Sequence, residues 1–393
     1  MSAAHNYDAI VLGAGAAGMM AAAVAGRNGA RVLLADHADE PGKKILISGG
    51  GRCNFTNVHT APDRFLSANQ HFARSALARY TPADFIALVD GYRIAWHEKT
   101  LGQLFCDGSA RQIVTMLRNE CAGGGVDWSL GRTIDEIDHV DGRFSVKIGR
   151  DTATAPKLVI ATGGPSIPQM GATGFAYDVA RRFGLKVVEP RPALVPLTLG
   201  GDEALFKTLS GVATEVVASA GKGSFREAAL FTHRGLSGPA ILQASSYWRH
   251  GEAVAIDFTP DRPGGWLLEQ KRLHPRMGVQ SALGQSLPGR LAEALADKIA
   301  LPGNLADLTD KALIDAEALL AAWPFHPNGT EGFMKAEVTI GGVATDALSQ
   351  QTFEAKAVPG LYFIGEAVDV TGWLGGYNFQ WAWASAVACG KAL

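Results

Sequence analysis

The apolar positions near the start of the chain fall into two short runs, within residues 8–12 and 31–35. Neither run alternates with polar residues, which predicts strands buried on both faces, as in a parallel sheet. Between them residues 16–28 are rich in alanine, a strong helix former, and Gly29 supplies a stop. Together these make a βαβ unit that closes at Asp36. Residues 41–57 read as a basic, glycine-rich loop. Helices are predicted over 73–79, 82–90 and 110–120, with Gly123-Gly124-Gly125 breaking the chain after the last. Strands are predicted over 126–129, 133–139, 143–148 and 158–162, the middle pair joined by the hairpin dipeptide Asp141-Gly142. Beyond residue 191 the texture changes. Strand-like stretches at 194–199, 214–219 and 253–258 precede helices at 286–298 and 310–322. Residues 361–365 return to a buried strand, a glycine turn and a last helix. The expected fold class is therefore α/β. A discontinuous sheet domain over 1–191 and 331–393 is interrupted by an inserted domain of strands and helices over 192–330.

Composition adds to this. The chain has 393 residues, enough for two or three domains. Forty-seven of them are glycine, well above the average of about 7%. They cluster at 49–51, 163–164, 341–342 and 375–376, where backbone can approach a ligand closely. Lys+Arg 36 against Asp+Glu 38 leaves no basic surplus for DNA or an anionic membrane. Cys53, Cys106, Cys121 and Cys389 show no C-x-x-C spacing, so no metal site and no redox dithiol is expected. Isolated thiols fit a reducing cytoplasm. The first residues lack the basic region of a signal peptide. The uncharged stretch 10–26 is too short and too broken by glycine to span a membrane.

Gly13-Ala14-Gly15-Ala16-Ala17-Gly18 is a G-x-G-x-x-G motif in its required context, after a strand and opening a helix. Gly13 permits the turn, Gly15 admits a pyrophosphate, and Gly18 lets helix and strand pack closely. The N–H groups of Ala16 and Ala17 open the helix towards the phosphates. Asp36 is placed to accept from ribose hydroxyls and would repel a 2′-phosphate, so FAD or NAD is expected there and NADP is not. The far end of the chain decides for FAD. Gly365 and Glu366, with Asp369, follow a strand and can hold a ribityl chain. The turn ending at Gly376 leads into a helix beginning near Asn378 and Phe379. That helix can aim N–H groups at the N1–C2=O edge of a flavin.

These segments resemble the HI0933-like flavoproteins, the BaiN/RdsA family of FAD-dependent oxidoreductases. The resemblance rests on the glycine motif, on GKKILISGGGRCNFTN (42–57), on FTHRGLSGP (231–239), on AEVTIGGV (336–343) and on GEAVDVTGWLGGYNFQWAWASA (365–386). It implies a Rossmann-like FAD-binding domain of the two-dinucleotide type, whose insert has a β-barrel part and a helical part. It also implies hydride transfer through flavin N5 to an activated C=C bond, with NAD(P)H as transient donor. The substrate is either a small molecule such as an enone or uridine in ribosomal RNA, which would become dihydrouridine. A flavin-binding redox sensor is the non-catalytic alternative. Asp36 stands where the family usually has Glu.

Several residues carry two readings each. Cys53 is a candidate proton donor to the substrate carbon or a small residue packed beneath the flavin. Arg52 pairs with phosphate or flavin carbonyls, or is a surface arginine. Lys43 and Lys44 are phosphate partners or an exposed pair. Asn54 either lies near the flavin ring or shapes its loop. Ile134, Thr162 and Gly163 complete the candidate cofactor set. In the insert, the run Lys271-Arg272-Leu273-His274-Pro275-Arg276 is the one stretch suited to RNA phosphates.

Overall fold

The structure, a computed structural model, describes residues 4–393. The chain divides into two units, Met1–Arg191 with Val338–Leu393, and Pro192–Glu337.

In the first unit β1 (Ala9–Leu12), β2 (Val32–Ala35), β3 (Asp127–Ser129), β4 (Lys157–Ile160) and β5 (Leu361–Phe363) form one sheet in the order β5-β4-β1-β2-β3. Every pairing is parallel, with Leu12 opposite both Ala35 and Ile160, and Ile160 opposite Phe363. The strands are only three or four residues long. All residues of β1, β2 and β5 are buried, which explains their lack of polar alternation. The parallel register brings Gly13, Asp36, Ala161 and Ile364 to one edge of the sheet. In such sheets ligands bind at the carboxyl ends of the strands.

Helix α1 (Ala16–Arg27) packs against α2 (Arg111–Gly123) and α3 (Tyr377–Gly390). Alanine and glycine fill α1 because it is covered on most sides: eight of its twelve residues are buried. A second sheet in this unit joins Ala4–Asn6, Asp151–Ala155, Arg143–Ile148 and Ile134–Val140. Asp141 and Gly142, at φ 52 and 73, make the expected tight hairpin between the last two.

Two stretches differ from expectation. Residues 41–57 are not an irregular loop. They contain the helix Lys43–Ile47, which buries Ile45, then a 3-10 turn with left-handed Gly49 and Gly50, then the strand Asn54–Asn57. The strand expected over 194–199 is confined to Leu197–Thr198, preceded by Val187–Ala193. Leu194 at φ 48 turns the chain between them, and Pro196 lacks a donor.

The second unit holds a seven-stranded antiparallel sheet. Its order is Trp323–Phe325, Val254–Asp257, Ala213–Ala220, Gly223–Phe231, Gly235–Ser237, Leu197–Thr198 and Gly329–Thr330. The two outermost strands are separated by only His326, Pro327 and Asn328. The four Cα–Cα steps from Phe325 to Gly329 span at most about 14 Å, whereas seven flat strands at ~4.8 Å spacing would need about twice that. The sheet is therefore rolled towards a barrel. Phe206, Phe231, Phe258, Trp323 and Phe325 fill it, Phe206 and Phe325 with centroids 5.0 Å apart. Helices Trp266–Leu273, Val279–Leu283, Gly289–Ile299 and Asp310–Ala321 form the helical part. The carboxylate of Glu317 accepts from Gly265 N at 2.7 Å and Leu267 N at 2.5 Å, satisfying the start of the first of these helices.

Candidate functional site

The three motif glycines meet different surroundings. Gly13 has φ +107, and a Cβ there would lie 2.5 Å from Ala161 O. A Cβ on Gly18 would lie 1.8 Å from Gly13 O. Both positions are therefore dictated by the fold. Gly15 is not: its φ is −84, and a Cβ would meet nothing within 4 Å. The space above Gly15 is open, at the start of a helix with no side-chain cap and no acidic residue in its first turn. The first-turn N–H groups, which include those of Ala16 and Ala17, have no intrahelical acceptor. This is a cradle for an anion.

Asp36 follows β2 at the same edge. Its Oδ2 accepts from Ala14 N at 2.6 Å and its Oδ1 from Ala38 N at 2.8 Å. Both bonds orient the carboxylate beside the cradle, with lone pairs left for hydroxyl donors. Gly131 N donates to Ala38 O and Arg132 N to Asp36 O, which brings the segment opening at Ile134 against this corner.

A second cluster forms where β4 and β5 end. Lys44 Nζ lies 2.8 Å from Glu366 Oε2 and donates to Ser166 Oγ at 2.6 Å. Ser166 Oγ donates to Glu366 Oε1 at 2.8 Å, and Thr339 N donates to the same oxygen at 2.9 Å. Lys44 is thus the partner of a carboxylate, and Lys43 faces outward, 3.4 Å from exposed Asp39. A Cβ on Gly163 would be 3.6 Å from Glu366 Oε2. The Thr162 hydroxyl is buried without a partner among the described residues. Asp369 is buried and accepts from Ala68 N at 3.0 Å. Burial raises its pKa, opposed by the backbone N–H groups of Ala68 and Gly341.

The strand Asn54–Asn57 and helix α3 are bonded at one residue after another. Thr56 Oγ1 donates to Gln380 Oε1 at 2.6 Å, Trp383 Nε1 to Phe55 O at 2.8 Å, and Asn57 Nδ2 to Gly375 O at 2.8 Å. Gly376, at φ +97, packs so tightly that a Cβ would be 2.4 Å from Thr56 O. Gly365 O accepts from Trp381 Nε1 at 2.9 Å, tying the β5 end to the same helix. Asn378 clasps the turn from within, accepting from Gly372 N at 2.8 Å and donating to Gly372 O at 2.9 Å. Its amide therefore shapes the turn, and what the turn offers a ligand is backbone N–H. The Phe379 ring stacks on Trp383, centroids 5.7 Å apart. The Asn54 amide, oriented to satisfy both its ends, donates to Thr56 O and Leu104 O at 3.2 Å and accepts from Gly376 N at 3.3 Å, so it also serves the loop.

Cys53 does not stand where the proton-donor reading needs it. It has no exposed surface and lies among the residues of the core. Burial pushes its thiol well above the ordinary range. Arg52 is exposed, and no side-chain partner is seen for it among the described residues.

The sequence reading missed two features. Residues 165–174 form a strap across this edge: Ser166 reaches Glu366, and a Cβ on Gly171 would lie 2.6 Å from His37 Nε2. The signal was present as Gly163-Gly164-Pro165 followed by Gly171 and Gly174 before the helix Phe175–Arg182. The clamp of Thr56, Asn57, Gln380 and Trp383 was also missed, because its partners lie more than 300 positions apart.

The open cradle at Gly15, the unpartnered Thr162 hydroxyl and the acid at the β2 end fit a dinucleotide lying across the carboxyl edge of the sheet. The HI0933-like protein Rossmann domain model matches residues 7–392. A ribosomal RNA dihydrouridine synthase of Escherichia coli K12 is 52% identical over 99% of this chain and 98% of its own length. A protein of the same name from Haemophilus influenzae is 44% identical over 98% of each chain. A 3-dehydro-bile acid delta(4,6)-reductase of Clostridium scindens is 27% identical over 97% of this chain and 98% of its own. No helix of the described residues is long and apolar enough to cross a membrane. The chain belongs to the HI0933-like family and is an FAD-dependent oxidoreductase with a Rossmann-type α/β fold.

Proposed function

We propose that the chain reduces uridine to dihydrouridine within ribosomal RNA, with NAD(P)H as the transient electron donor. The observation that carries this is the 52% identity, over 99% of the chain, to a protein of that activity. The chemistry is a special case of the activated C=C reduction that the family resemblance implies. The C5=C6 bond of uracil is conjugated with the C4 carbonyl, so it accepts hydride at one carbon and a proton at the other. The balance is uridine plus NAD(P)H plus a proton, giving dihydrouridine plus NAD(P)⁺.

Bound FAD would supply the hydride, and the chain's own residues would hold and shield it. Gly15, Ala16, Ala17 and Gly18 would receive the pyrophosphate on backbone N–H groups, Gly13 would hold the turn with its own N–H on Ala35 O, and Asp36 would receive ribose hydroxyls. Ile134 lines the adenine side. Thr162, Gly163, Gly365, Glu366 and Asp369 face the ribityl chain, with Lys44 and Ser166 fixing the Glu366 carboxylate. The first turn of α3, entered through Gly376, would offer N–H groups to the flavin and stabilise negative charge on it. Arg52 and Asn54 border the same ring. Cys53 packs in the core and offers no surface, so the substrate's proton would come from elsewhere. A ribosomal RNA substrate would place the protein in the cytoplasm.

The test is direct. Ribosomal RNA from cells lacking the gene is incubated with the purified holoenzyme and NADPH or NADH, digested, and its nucleosides weighed. Dihydrouridine, formed only with enzyme and donor, is the expected result. Intact uridine with both donors, alongside rapid reduction of a small enone, would replace RNA by a small-molecule substrate.

A further inference from the structure

The strands Trp96–Glu98 and Gln103–Cys106 form a hairpin whose tip is Leu101-Gly102. Gln103 N donates to Thr100 O at 3.0 Å, and both tip residues are left-handed, at φ 51 and 76. This two-residue turn ordinarily takes Asn, Asp or Gly first, because a β-carbon is sterically penalised there. Leucine occupies the position and is 55% exposed. Neither backbone preference nor burial accounts for an apolar side chain at this point.

The tip is rigidly anchored. Gly102 N donates to Glu98 Oε1 at 3.0 Å, and Val58 N donates to Gly102 O at 2.9 Å. The amide of Asn57 donates to Leu101 O at 3.1 Å and to Gly375 O at 2.8 Å. A single side chain thus couples the hairpin tip to the glycine turn that opens α3. The surroundings are charged and partly apolar. Val58 is 42% exposed, and His59, Lys99 and Arg52 are exposed with it. The ring of Phe105 lies under Lys99 Nζ at 5.7 Å and against Gly49, so hairpin and glycine loop share one surface. The nearby acids are engaged: Glu98 with Gly102, and Asp107 with His97 at 2.6 Å.

We infer that Leu101 is a wedge that enters the base stack of the RNA when the target uridine turns out to meet the flavin. This rests on the proposed function. A base inside a folded RNA presents only its edges, and hydride transfer needs its face, so the nucleotide must leave the stack. Apolar side chains that replace a lost stacking partner lower the cost of that movement. Lys99 beside the wedge meets a flanking phosphate.

The test uses Leu101→Gly and Leu101→Met in the full holoenzyme. Glycine is at ease at φ 51, so Leu101→Gly should melt at the same or a higher temperature and carry full flavin. It should lose at least tenfold in kcat/KM on ribosomal RNA, whereas Leu101→Met stays within threefold of wild type. A 2-aminopurine placed beside the target uridine should brighten on binding wild type and not on binding Leu101→Gly. Turnover and brightening of Leu101→Gly within twofold of wild type would overturn the wedge and leave the RNA activity standing. Wild-type enzyme that leaves ribosomal RNA unmodified would overturn both.

Discussion

Replacing Gly15 by alanine separates ligand geometry from fold geometry. A Cβ at Gly15 meets no atom of the chain within 4 Å, and the backbone there has φ −84. The only cost to the protein without FAD is the poorer helix cap that alanine makes, about 0.5–1 kcal/mol. The methyl group instead fills the space through which a diphosphate reaches the first turn of α1. Displacing the diphosphate by a methyl group's width removes at least one charge-assisted hydrogen bond, worth about 1.5–3 kcal/mol. At ~1.4 kcal/mol per tenfold, FAD should bind roughly 10- to 100-fold more weakly. Gly18→Ala is the contrast. Its Cβ would lie 1.8 Å from Gly13 O, so helix and strand must part, at about 3 kcal/mol or more. The assay is FAD titration of the deflavinated proteins by quenching of flavin fluorescence, with thermal melts of the same samples. Gly15→Ala should melt close to wild type and bind poorly, while Gly18→Ala should melt early. Undiminished FAD affinity in Gly15→Ala would refute the assignment of the cradle.

Three further outcomes follow from the geometry. Cys53→Ala should keep its turnover within about twofold, because the thiol has no surface, and iodoacetamide should leave native Cys53 unalkylated in a peptide map. Asn57→Ala removes the bonds to Leu101 O and Gly375 O and should cost about 2–3 kcal/mol in a urea titration, together with a shift of the flavin absorption band. Glu227 is raised by burial, opposed by its bond from Gln243. A carboxyl raised in the folded state contributes stability below its unfolded pKa and loses it as pH rises through the folded value. Glu227→Gln should therefore melt higher than wild type at pH 7, the difference shrinking towards pH 4.

The βαβ unit from β1 to Asp36 was legible because every signal in it is local: two uninterrupted apolar runs, an alanine helix and three glycines at fixed spacing. The rolled sheet of the second unit was expected from the family resemblance and not from its strands, several of which are two or three residues long. The helix Lys43–Ile47 was hidden because five residues with one buried position carry too little periodicity to stand out from a loop. The candidate site was legible as a set of segments but not as a division of labour. Asn378 and Asn54 look like ligands in the sequence and act on the backbone around them. Lys44 looks like a phosphate partner and meets Glu366 across 322 positions. Cys53 looks reactive in a glycine loop, and only the packing around it makes it inert.

Single-turnover reoxidation of the flavin tests the central claim most directly. The holoenzyme is reduced anaerobically with one equivalent of NADPH or NADH, then mixed with unmodified ribosomal RNA, with the same RNA already modified, or with a small enone. The oxidised flavin band should return only with unmodified RNA, and one dihydrouridine should form per flavin reoxidised. A band that returns with the enone and stays bleached with unmodified RNA would contradict the claim.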